Sequence, residues 1–466
     1  MLHNKPSLAG ARNIRDDALT HDALVRKEMP HNLGDGLVLR RATAADSEAV
    51  AALNGEIHAD SPQTFSAGIA AWTRDLMNGN HPTYRASDWT VVEDTRARRI
   101  ASTMCLLSQT WSYSGISFGV GRPELVGTLH EYRRRGLVRS QLAVLHAWSA
   151  QRGELLQAIT GIPWYYRQFD YELGGLTLGG ARTGYLPLAP ELAAEDREPY
   201  RVRDAIEGDL PFIAGLYERR IRRDRVACLR DGAAWRYELD GRDPASEVAV
   251  RLAVIETPDG EPVGYLAHAG RISNGAIHLG EYELTPQISW GAVTPVVIRA
   301  LVARGKDYAA RDQQQLRSYV FWLGVEHPAY EGAAAHLPNV QTPYAWYLRV
   351  PDIPRFLRHI APALEERLAG TSLAGHTGQL NISFYRHGIR LAFDLGRITA
   401  HPWDETPADR RGATFPGHTF LQLLFGYRSL DELAYAFADC GARGDEPRAL
   451  LNALFPKQAS HVWALT

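Results

Sequence analysis

The chain has 466 residues. This is long for a single hydrophobic core and predicts two to four domains at roughly 100 to 200 residues each. Its 51 lysines and arginines balance 53 aspartates and glutamates, for a formal net charge of -2. Because no general positive field results, the composition does not favour nucleic acid or a membrane surface as a partner. Any basic function must therefore be local.

Targeting, disulfide and metal patterns are missing from the sequence. The first 35 residues form a polar leader without the apolar run of a secretory signal, and no apolar stretch approaches the ~20 residues that span a bilayer. The histidines show no metal-ligand spacing. The cysteines are odd in number and lack C-x-x-C spacing; they are Cys105, Cys228 and Cys440. We therefore expect a cytoplasmic protein with reduced thiols and no metal.

Two segments of the chain repeat one pattern. Residues 36–58 predict a short strand followed by a helix. The same residue types return in residues 200–220 at a constant offset. The matching pairs include Arg40 with Arg203 and Asp46 with Asp209. Similarity at that distance predicts a duplicated domain rather than a short repeat, with a boundary in the Pro- and acid-rich stretch 186–199.

The first copy continues with an α+β pattern. Strand patterns at 89–94, 99–111 and 123–130 lead into a helix that ends near Arg152, and a short apolar strand follows at 155–162. The second copy keeps the strand and helix signals, but its strand-to-helix turn contains no arginine. We therefore expect the second copy to lack whatever the first copy binds at this turn.

The pattern changes again from about Val350. Residues 352–370 place apolar side chains on one helical stripe, and residues 379–396 alternate around a His-Gly turn, which predicts a hairpin with one buried face. Further helices follow. The predicted segments are a leader at 1–35, a first domain at 36–185, a second at 200–348 and a third at 350–466.

Residues 131–142, EYRRRGLVRSQL, surround Gly136 with four arginines between a strand and a helix. A helix N-terminus has unpaired N–H groups and a partial positive charge, and a glycine at the turn lets a phosphate approach the backbone. A solvated basic helix start would account for the arginines equally well by themselves. Cations oppose the helix dipole at this end, however, and the placement therefore favours a bound anion such as a diphosphate.

Two motifs resemble those of the GNAT acetyltransferase superfamily. Residues 133–138 resemble its Q/R-x-x-G-x-G/A pyrophosphate loop, with Val138 where glycine or alanine is usual. Residues 163–172, PWYYRQFDYE, resemble the tyrosine-bearing segment after the fifth strand, with Tyr166 at the tyrosine and Asp170 at the usual glycine. Asp tolerates left-handed backbone. Three neighbouring aromatic residues are expected to be packing residues: Tyr165, Phe169 and Tyr171.

The three-part organisation is similar to the enhanced-intracellular-survival type of N-acetyltransferase, which is known for acetylating aminoglycosides. The resemblance covers about residues 36–466. It implies an α+β fold of two tandem GNAT domains, the second degenerate, followed by a sterol-carrier-protein-like α/β domain. It also implies acetyl-CoA as cosubstrate, a small-molecule amine as acceptor, and a homo-oligomer.

Site residues are likewise implied by the resemblance. Tyr166 would serve as the general acid and the α-carboxylate of Thr466 as the general base. Contacts with the coenzyme would come from the end of one strand, the arginine-rich turn and the neighbouring strand. These residues are Val126, Gly127, Thr128, Arg134, Arg135, Gly136, Leu137, Val138, Arg139, Gly161 and Ile162.

The chemistry of acetyl transfer explains these roles. Attack of an amine on a thioester expels a thiolate whose conjugate acid has a pKa of about 8.5 if it behaves like cysteine, so a phenol of pKa ~10 is a reasonable proton donor. An amine with a lysine-like pKa of ~10.4 is protonated at pH 7, and freeing it costs about 4.6 kcal/mol. A base is therefore expected. We expect transfer to a primary amine of an aminoglycoside- or polyamine-like acceptor, or to lysine.

Two further interpretations remain open. A non-catalytic protein could bind acyl-CoA or lipid through the third domain, because the hairpin at 379–396 could line an apolar cavity; the same alternation also builds a plain sheet core. The run ERRIRRDRV at 218–226 is expected to be the exposed end of a helix, with an anion site as the alternative.

Overall fold

A computed structural model describes residues 29–463, except 60, 62, 179 and 405–411. Within these residues the chain forms three β-sheets flanked by helices. Up to Tyr185 the chain contains strands β1 (His31–Gly34), β2 (Leu37–Arg41), β3 (Trp89–Asp94), β4 (Arg99–Tyr113), β5 (Ile116–Thr128), β6 (Leu156–Ile159), β7 (Glu172–Leu178) and β8 (Ala181–Tyr185). Its helices are α1 (Ser47–Ile57), α2 (Ala67–Met77) and α3 (Leu137–Gln151).

The second region repeats the alternation of strands and helices. It contains β9 (Arg201–Asp204), β10 (Val226–Cys228), β11 (Val250–Glu256), β12 (Pro262–Ala269), β13 (Ala276–Leu284), β14 (Ser318–Phe321), β15 (Asn339–Gln341) and β16 (Tyr344–Arg349). Its helices are α4 (Leu210–Ile221), α5 (Gly232–Arg236), α6 (Trp290–Arg311) and α7 (Ala329–Gly332).

The third region packs five short helices around a small sheet. Its strands are β17 (Gly378–Ser383), β18 (Gly388–Asp394), β19 (Arg397–Trp403), β20 (Gly412–Thr414) and β21 (Gly441–Arg443). Its helices are α8 (Ile353–His359), α9 (Ala361–Ala369), α10 (Phe420–Leu424), α11 (Leu430–Ala436) and α12 (Asp445–Leu454). The sequence pattern predicts one helix over 352–370, but the helix breaks at Ile360, because Pro362 has no N–H for an intrahelical hydrogen bond.

The first two sheets exchange strands. The first sheet runs β1-β2-β3-β4-β5-β6-β16-β7, with β10 paired to β4, and the second runs β15-β8-β14-β13-β12-β11-β9. Strand β8 therefore lies in the second sheet, and β10 and β16 lie in the first. Sheet membership departs at these three strands from the predicted segments 36–185 and 200–348, because strand pairing is set by tertiary contacts that a linear pattern does not record.

The predicted repeat reappears as the same ion-pair arrangement in both copies. The guanidinium of Arg40 donates to both carboxylate oxygens of Asp46, at 2.8 and 2.9 Å, and to Glu93 at 2.7 Å. Arg203 donates likewise to Asp209, at 2.7 and 2.9 Å, and to Glu256 at 2.7 Å. In both copies the arginine ties the first strand of the repeat to the start of the following helix and to a neighbouring strand.

The hairpin of the third region forms as its alternation predicts. Strands β17 and β18 pair antiparallel from Gly378↔Phe393 to Ser383↔Gly388. Its apolar side chains are at most 5 % exposed and belong to one core with helices α8, α9, α10 and α12. That core extends into the first sheet through Trp111, Tyr113 and Trp346. The six apolar hairpin residues are Leu380, Ile382, Phe384, Ile389, Leu391 and Phe393.

The basic run at 218–226 contains the end of α4 and is exposed at Glu218, Arg219, Arg222 and Arg223, as its composition predicts, but two of its arginines are not solvated. Arg225 is fully buried, and its guanidinium donates to the carbonyl of Pro456. Arg220 donates to the carbonyl of His461 at 2.8 Å. Composition alone could not reveal these acceptors, because they lie more than two hundred residues further along the chain.

The three cysteines are buried and unbridged. No helix among the described residues is long and apolar enough to cross a membrane.

Candidate active site

A gap opens in the first sheet beside the end of β5. Leu125 has a positive φ of 49°, and the pairing register with β4 shifts between Thr103 and Cys105, which places two residues of β5 opposite one residue of β4. Such a bulge bends its strand. Strand β5 pairs with β6 only at Val120↔Leu156 and Gly121↔Gln157, and beyond this point the two strands separate.

The donor cavity, as we call it, occupies this gap and has a volume of about 890 Å³. One wall is the bulged end of β5, the opposite wall follows β6, and the start of α3 forms the floor. Its lining includes Ile57, His58, Ile69, Trp72, Glu124, Leu125, Val126, Gly127, Thr128, Tyr132, Arg133, Arg134, Gly136, Leu137, Val138, Arg139, Ile159, Thr160, Gly161, Ile162, Tyr165, Tyr166, Gln168 and Phe169.

The arginine-rich turn has the backbone that an anion-binding turn requires. Arg134 has a positive φ of 62°, and Gly136, the N-cap residue of α3, has a φ of 76°. This left-handed conformation favours glycine. The first turn of α3 lines the cavity at Leu137, Val138 and Arg139, so the free N–H groups and the dipole of the helix lie at the cavity floor.

Ten of the eleven residues predicted to contact the coenzyme line the donor cavity. Arg135 is the exception: its guanidinium donates to Asp35 at 3.2 Å and lies 5.8 Å from the ring centroid of Tyr132. Arg133, which was not predicted, lines the cavity instead. The sequence of three consecutive arginines does not indicate which of their side chains face the cavity. Their directions depend on the left-handed backbone at Arg134, which the sequence alone does not reveal.

Val138 lies at the position where the resembled motif has a small residue. Its side chain is half-buried, packs against the core of the first sheet and also lines the donor cavity. The valine therefore reduces the space over the first turn of α3 without closing it.

Tyr166 is held in the cavity wall by tight packing. It is only 4 % exposed, and a Cβ atom added at Gly161 would lie 1.8 Å from its ring. Tyr347, on the exchanged strand β16, packs against the same ring at a centroid distance of 5.8 Å. Burial, with a contribution from the charge of Glu124, raises the pKa of Tyr166 well above its usual value. The phenol is therefore protonated throughout the neutral range.

The aromatic neighbours of Tyr166 form a packed cluster. Tyr171 is fully buried and shares a 2.9 Å hydrogen bond with His146, and Phe169 is 8 % exposed. Tyr165 differs because it is only half-buried; both Tyr165 and Phe169 line the donor cavity. Asp170 has a φ of 67°, which confirms the left-handed backbone predicted at this position.

Glu124 is a carboxylate at the site that the sequence reasoning missed. It immediately precedes the bulge in β5 and lines the donor cavity. Arg122, which is only 1 % exposed, donates to it at 2.6 Å. Burial raises the pKa of Glu124, while the charge of Arg122 opposes the shift. An arginine and a glutamate two residues apart in a largely apolar strand were the signal that could have identified it, since such side chains are rarely buried unless they are paired.

A second cavity, the interdomain cavity, adjoins the donor cavity. Its volume is about 480 Å³, and it shares Trp72, Glu124 and Thr160 with the donor cavity. Residues of the second sheet and the C-terminal segment complete its wall, including Ala267, Gly280, Trp322 and Trp463. Two reactants could therefore meet at Glu124 from opposite sides.

The C-terminal segment is fixed against both sheets. Its backbone exchanges 2.9 Å hydrogen bonds with Thr177, from Val462 N–H to the Thr177 carbonyl and from Thr177 N–H to the Ser460 carbonyl. Arg230 donates to the carbonyl of Trp463 at 2.9 Å. Thr466, the predicted base, lies outside the described residues. The last described residue, Trp463, lines the interdomain cavity.

No group of three or more histidine, cysteine, aspartate or glutamate side chains that could hold a metal ion occurs within the described part of the chain.

Comparisons with known proteins concern the family and the fold. A family model for an acetyltransferase (GNAT) domain matches residues 38–174. No curated protein matches the chain.

Solved structures match most of the chain at low sequence identity. A conserved protein from Enterococcus faecalis, described as a probable N-acyltransferase, has a TM-score of 0.64 at 14% identity and covers 91% of this chain and 97% of its own. Eis1 from Mycobacterium abscessus has a TM-score of 0.56 at 15% identity, covering 92% and 99%. Saccharomyces cerevisiae N-myristoyltransferase with bound myristoyl-CoA has a TM-score of 0.50 at 9% identity, covering 69% and 85%.

The matched segment contains the bulged strand, the arginine-rich turn and Tyr166. Residues 38–174 are therefore a GNAT acetyltransferase domain, in a chain whose α+β fold is shared with Eis1 and other GNAT-type acyltransferase structures.

Proposed function

We propose that the protein is an N-acetyltransferase that moves an acetyl group from acetyl-CoA to a primary amine. The observation that carries this proposal is the meeting of two cavities at one carboxylate. The donor cavity has an anion-binding helix start on its floor, the interdomain cavity adjoins it, and Glu124 lines both. Acyl transfer between two bound reactants requires such a meeting point, because holding both reactants together supplies much of the rate.

The donor side fits a coenzyme A thioester. The N-terminal turn of α3 would bind the diphosphate through backbone N–H groups. Arg134 and Arg139, both on the cavity wall, would add positive charge. The bulged end of β5 would lie along the pantetheine arm, at Val126 and Thr128. Thr160 and Gly161 would border the thioester from the other side.

We assign the acyl group as acetyl because the thioester end of the cavity is crowded. The side chain of Ile57 lies so close to Gly127 that an added Cβ atom would overlap it at 1.6 Å. Tyr166 covers Gly161 in the same way on the opposite strand. Trp72 also lines the cavity. A long acyl chain would need an apolar channel where these side chains pack.

The reaction proceeds by direct attack. The amine nitrogen attacks the carbonyl carbon of the thioester, a C–N bond forms, and the C–S bond breaks. Tyr166 gives its phenolic proton to the departing thiolate. The proton lost by the amine passes to a base, and proton exchange with solvent restores the phenol. No covalent enzyme intermediate is needed.

Glu124 is the base that the described residues offer. Its carboxylate is buried at the junction of the two cavities, and burial raises its pKa, which strengthens it as a proton acceptor. The α-carboxylate of Thr466 is the alternative. The C-terminal segment is directed to the interdomain cavity up to Trp463, and three more residues follow.

A non-catalytic acyl-CoA or lipid-binding protein is the competing proposal. Against it, the apolar side chains of the β17–β18 hairpin are buried in one continuous core with the surrounding helices. This packing favours a plain sheet core at the hairpin.

The experiment that tests acetyl transfer measures thiol release from acetyl-CoA in the presence of primary amines. The wild-type chain should turn over, and Tyr166→Phe should lower kcat by about 10²-fold or more if the phenol is the acid. Tyr435→Phe, at a 95 % exposed position away from the donor cavity, is the matched control and should retain activity. An absence of turnover with every amine, together with tight acetyl-CoA binding, would support the binding protein instead.

A further inference from the structure

The size and lining of the interdomain cavity indicate the chemical class of the acceptor. At about 480 Å³ it lies toward the small end of the range of ~300–1,000 Å³ typical of ligand pockets. It has room for one small molecule. Its connection to the donor cavity through Glu124 and Thr160 directs one end of that molecule at the thioester.

The lining of this cavity is rich in indole rings. Four tryptophans contribute, one from α2, one following β14, one from β16 and one from the C-terminal segment. Trp322 and Trp463 meet edge to face, with centroids 6.2 Å apart. The remaining wall combines aliphatic side chains, among them Leu178, Val248 and Val250, with polar and charged ones. Rings in this arrangement favour a flat apolar guest. The four tryptophans are Trp72, Trp322, Trp346 and Trp463.

The carboxylates of the cavity are already neutralised. Each of the three glutamates in the described lining is paired with an arginine of the same lining. The pairs are Arg122 with Glu124 at 2.6 Å, Arg242 with Glu238 at 2.9 Å, and Arg271 with Glu247. The described Glu and Arg side chains of the cavity therefore carry no net charge.

A neighbouring cavity does not change this balance. It has a volume of about 750 Å³, shares Glu247 and Arg271 with the interdomain cavity, and adds Arg317. No further carboxylate lines it among the described residues. A molecule with several ammonium groups would lose their hydration without gaining unpaired carboxylates, which is unfavourable.

Two indole N–H groups in the wall have no partner among the described residues. They are Nε1 of Trp72, whose side chain is 93 % buried, and Nε1 of Trp322. A buried donor without an acceptor costs free energy. An oxygen atom on the bound molecule could accept a hydrogen bond from one of these indole N–H groups.

We propose that the acceptor is a singly charged primary amine on a flat, aromatic body that carries a hydrogen-bond acceptor, and not a polycation such as a polyamine or aminoglycoside. The proposal deepens the proposed acetyl transfer and rests on it. The aromatic body would pack among the tryptophans, and the single amine would extend past Thr160 toward the thioester. This class differs from the polycationic acceptors that the sequence resemblance implies.

The test compares kcat/KM for matched amines with acetyl-CoA and the full chain: tyramine as the aryl amine, hexylamine as the aliphatic monoamine, spermidine and kanamycin as polycations. We expect tyramine to exceed both polycations by about tenfold or more, as a favourable aromatic contact provides. Trp322→Ala should remove most of that preference, whereas Tyr435→Ala, at a 95 % exposed position, should leave it unchanged. Higher kcat/KM for spermidine or kanamycin would overturn the proposal and leave acetyl transfer standing.

A second variant tests the charge argument separately. Arg271→Gln leaves Glu247 in the cavity without its partner, so the ratio of kcat/KM for spermidine over tyramine should rise. An unchanged ratio would show that the pairing of carboxylates with arginines does not exclude polycations, and this part of the proposal would be wrong.

Direct binding separates failure of this proposal from failure of acetyl transfer. Calorimetric titration of the free chain with tyramine and with spermidine needs no turnover. Without turnover, tighter binding of tyramine would support the ligand class while refuting the transferase. Tighter binding of spermidine would refute the ligand class.

Discussion

The ring of Tyr166 lies directly against the backbone of Gly161, where an added Cβ atom would be 1.8 Å from the ring. The phenol of Tyr166 can therefore occupy this position only because residue 161 has no side chain. The exchanged strand β16 supports the ring from the other side through Tyr347. Proton transfer is sensitive to such placement, because geometry precedes pKa in deciding whether a donor can act.

Gly161→Ala is expected to lower kcat by roughly 10- to 100-fold, as a displacement of about 1 Å can do. The ring of Tyr166 must move away from the new methyl group. Thiol release from acetyl-CoA measures the effect, and thermal unfolding shows that the chain still folds. Gly208→Ala is the matched control, since nothing lies within 4 Å of its added Cβ atom. Unchanged kcat in Gly161→Ala would show that the phenol need not be where the structure has it.

Glu124→Gln is expected to lower kcat by about 10²-fold or more, the usual contribution of a general base. In the wild type, kcat should fall as the pH drops through the pKa of Glu124, which burial raises above the ordinary glutamate value. The variant should lose this acidic limb. The pH profile of thiol release is the measurement.

Removal of the last three residues tests the alternative base, the α-carboxylate of Thr466. If Glu124 is the base, the truncated chain should keep the acidic limb and most of its kcat. If truncation abolishes activity and Glu124→Gln does not, the α-carboxylate of Thr466 is the base instead.

Charge reversal in the arginine-rich turn should separate the two kinds of arginine found there. Arg134→Glu should weaken acetyl-CoA binding by about 10- to 100-fold, because it replaces a charged hydrogen-bond donor on the cavity wall by an anion. Arg135→Glu should have a much smaller effect, since that side chain is directed to Asp35. Calorimetric titration with acetyl-CoA at two salt concentrations measures both. Equal losses in the two variants would mean that only the total charge of the turn matters.

Asp46→Asn is expected to lower the free energy of unfolding at pH 7 by about 2 kcal/mol. The side-chain hydrogen bond from Arg40 lowers the pKa of Asp46 from 3.8 to about 2. Because the folded-state pKa is the lower one, the stabilisation is complete above pH 3.8 and is lost as the pH falls toward 2. Urea unfolding at pH 7 and pH 3 should therefore give a smaller difference at the lower pH. Asp259→Asn, on an exposed turn, is the control, and an equal loss there would contradict the assignment.

The first domain should not fold without the strand it receives from the second. Strand β16 pairs with both β6 and β7, so a fragment ending at Tyr185 leaves two unpaired strand edges, which promote aggregation. We expect residues 29–185 to be insoluble, and the same fragment with residues 343–350 attached through a flexible linker to be more soluble. Soluble yield and circular dichroism measure this. A well-folded fragment without the added strand would show that β16 is dispensable.

The local patterns of the sequence were sufficient for the parts of the site that lie close together in the chain. A strand, a glycine turn and a helix within residues 123–151 predict the helix start that forms the floor of the cavity, because the helix dipole and the free N–H groups follow from local geometry. Tyr166 follows from its position in a second local motif. Both line the donor cavity.

The acceptor side could not be predicted in the same way. The interdomain cavity brings Glu124, Glu238 and Trp463 together from distant parts of the chain. The run at 218–226 shows the same limit, since Arg220 and Arg225 donate to carbonyls of the C-terminal segment. Composition predicts solvent for such side chains, whereas tertiary contacts supply buried acceptors.

The sequence by itself determined the duplication, the arginine-rich turn and the tyrosine, since each depends on residues that are neighbours or repeat at a fixed offset. Only the tertiary structure decided that β8, β10 and β16 change sheets, that Arg135 faces away from the cavity, and that the carboxylates around Glu124 are each paired with an arginine. The reason is physical: strand pairing and charge neutralisation are set by whichever groups folding brings within a few ångströms, regardless of their separation along the chain.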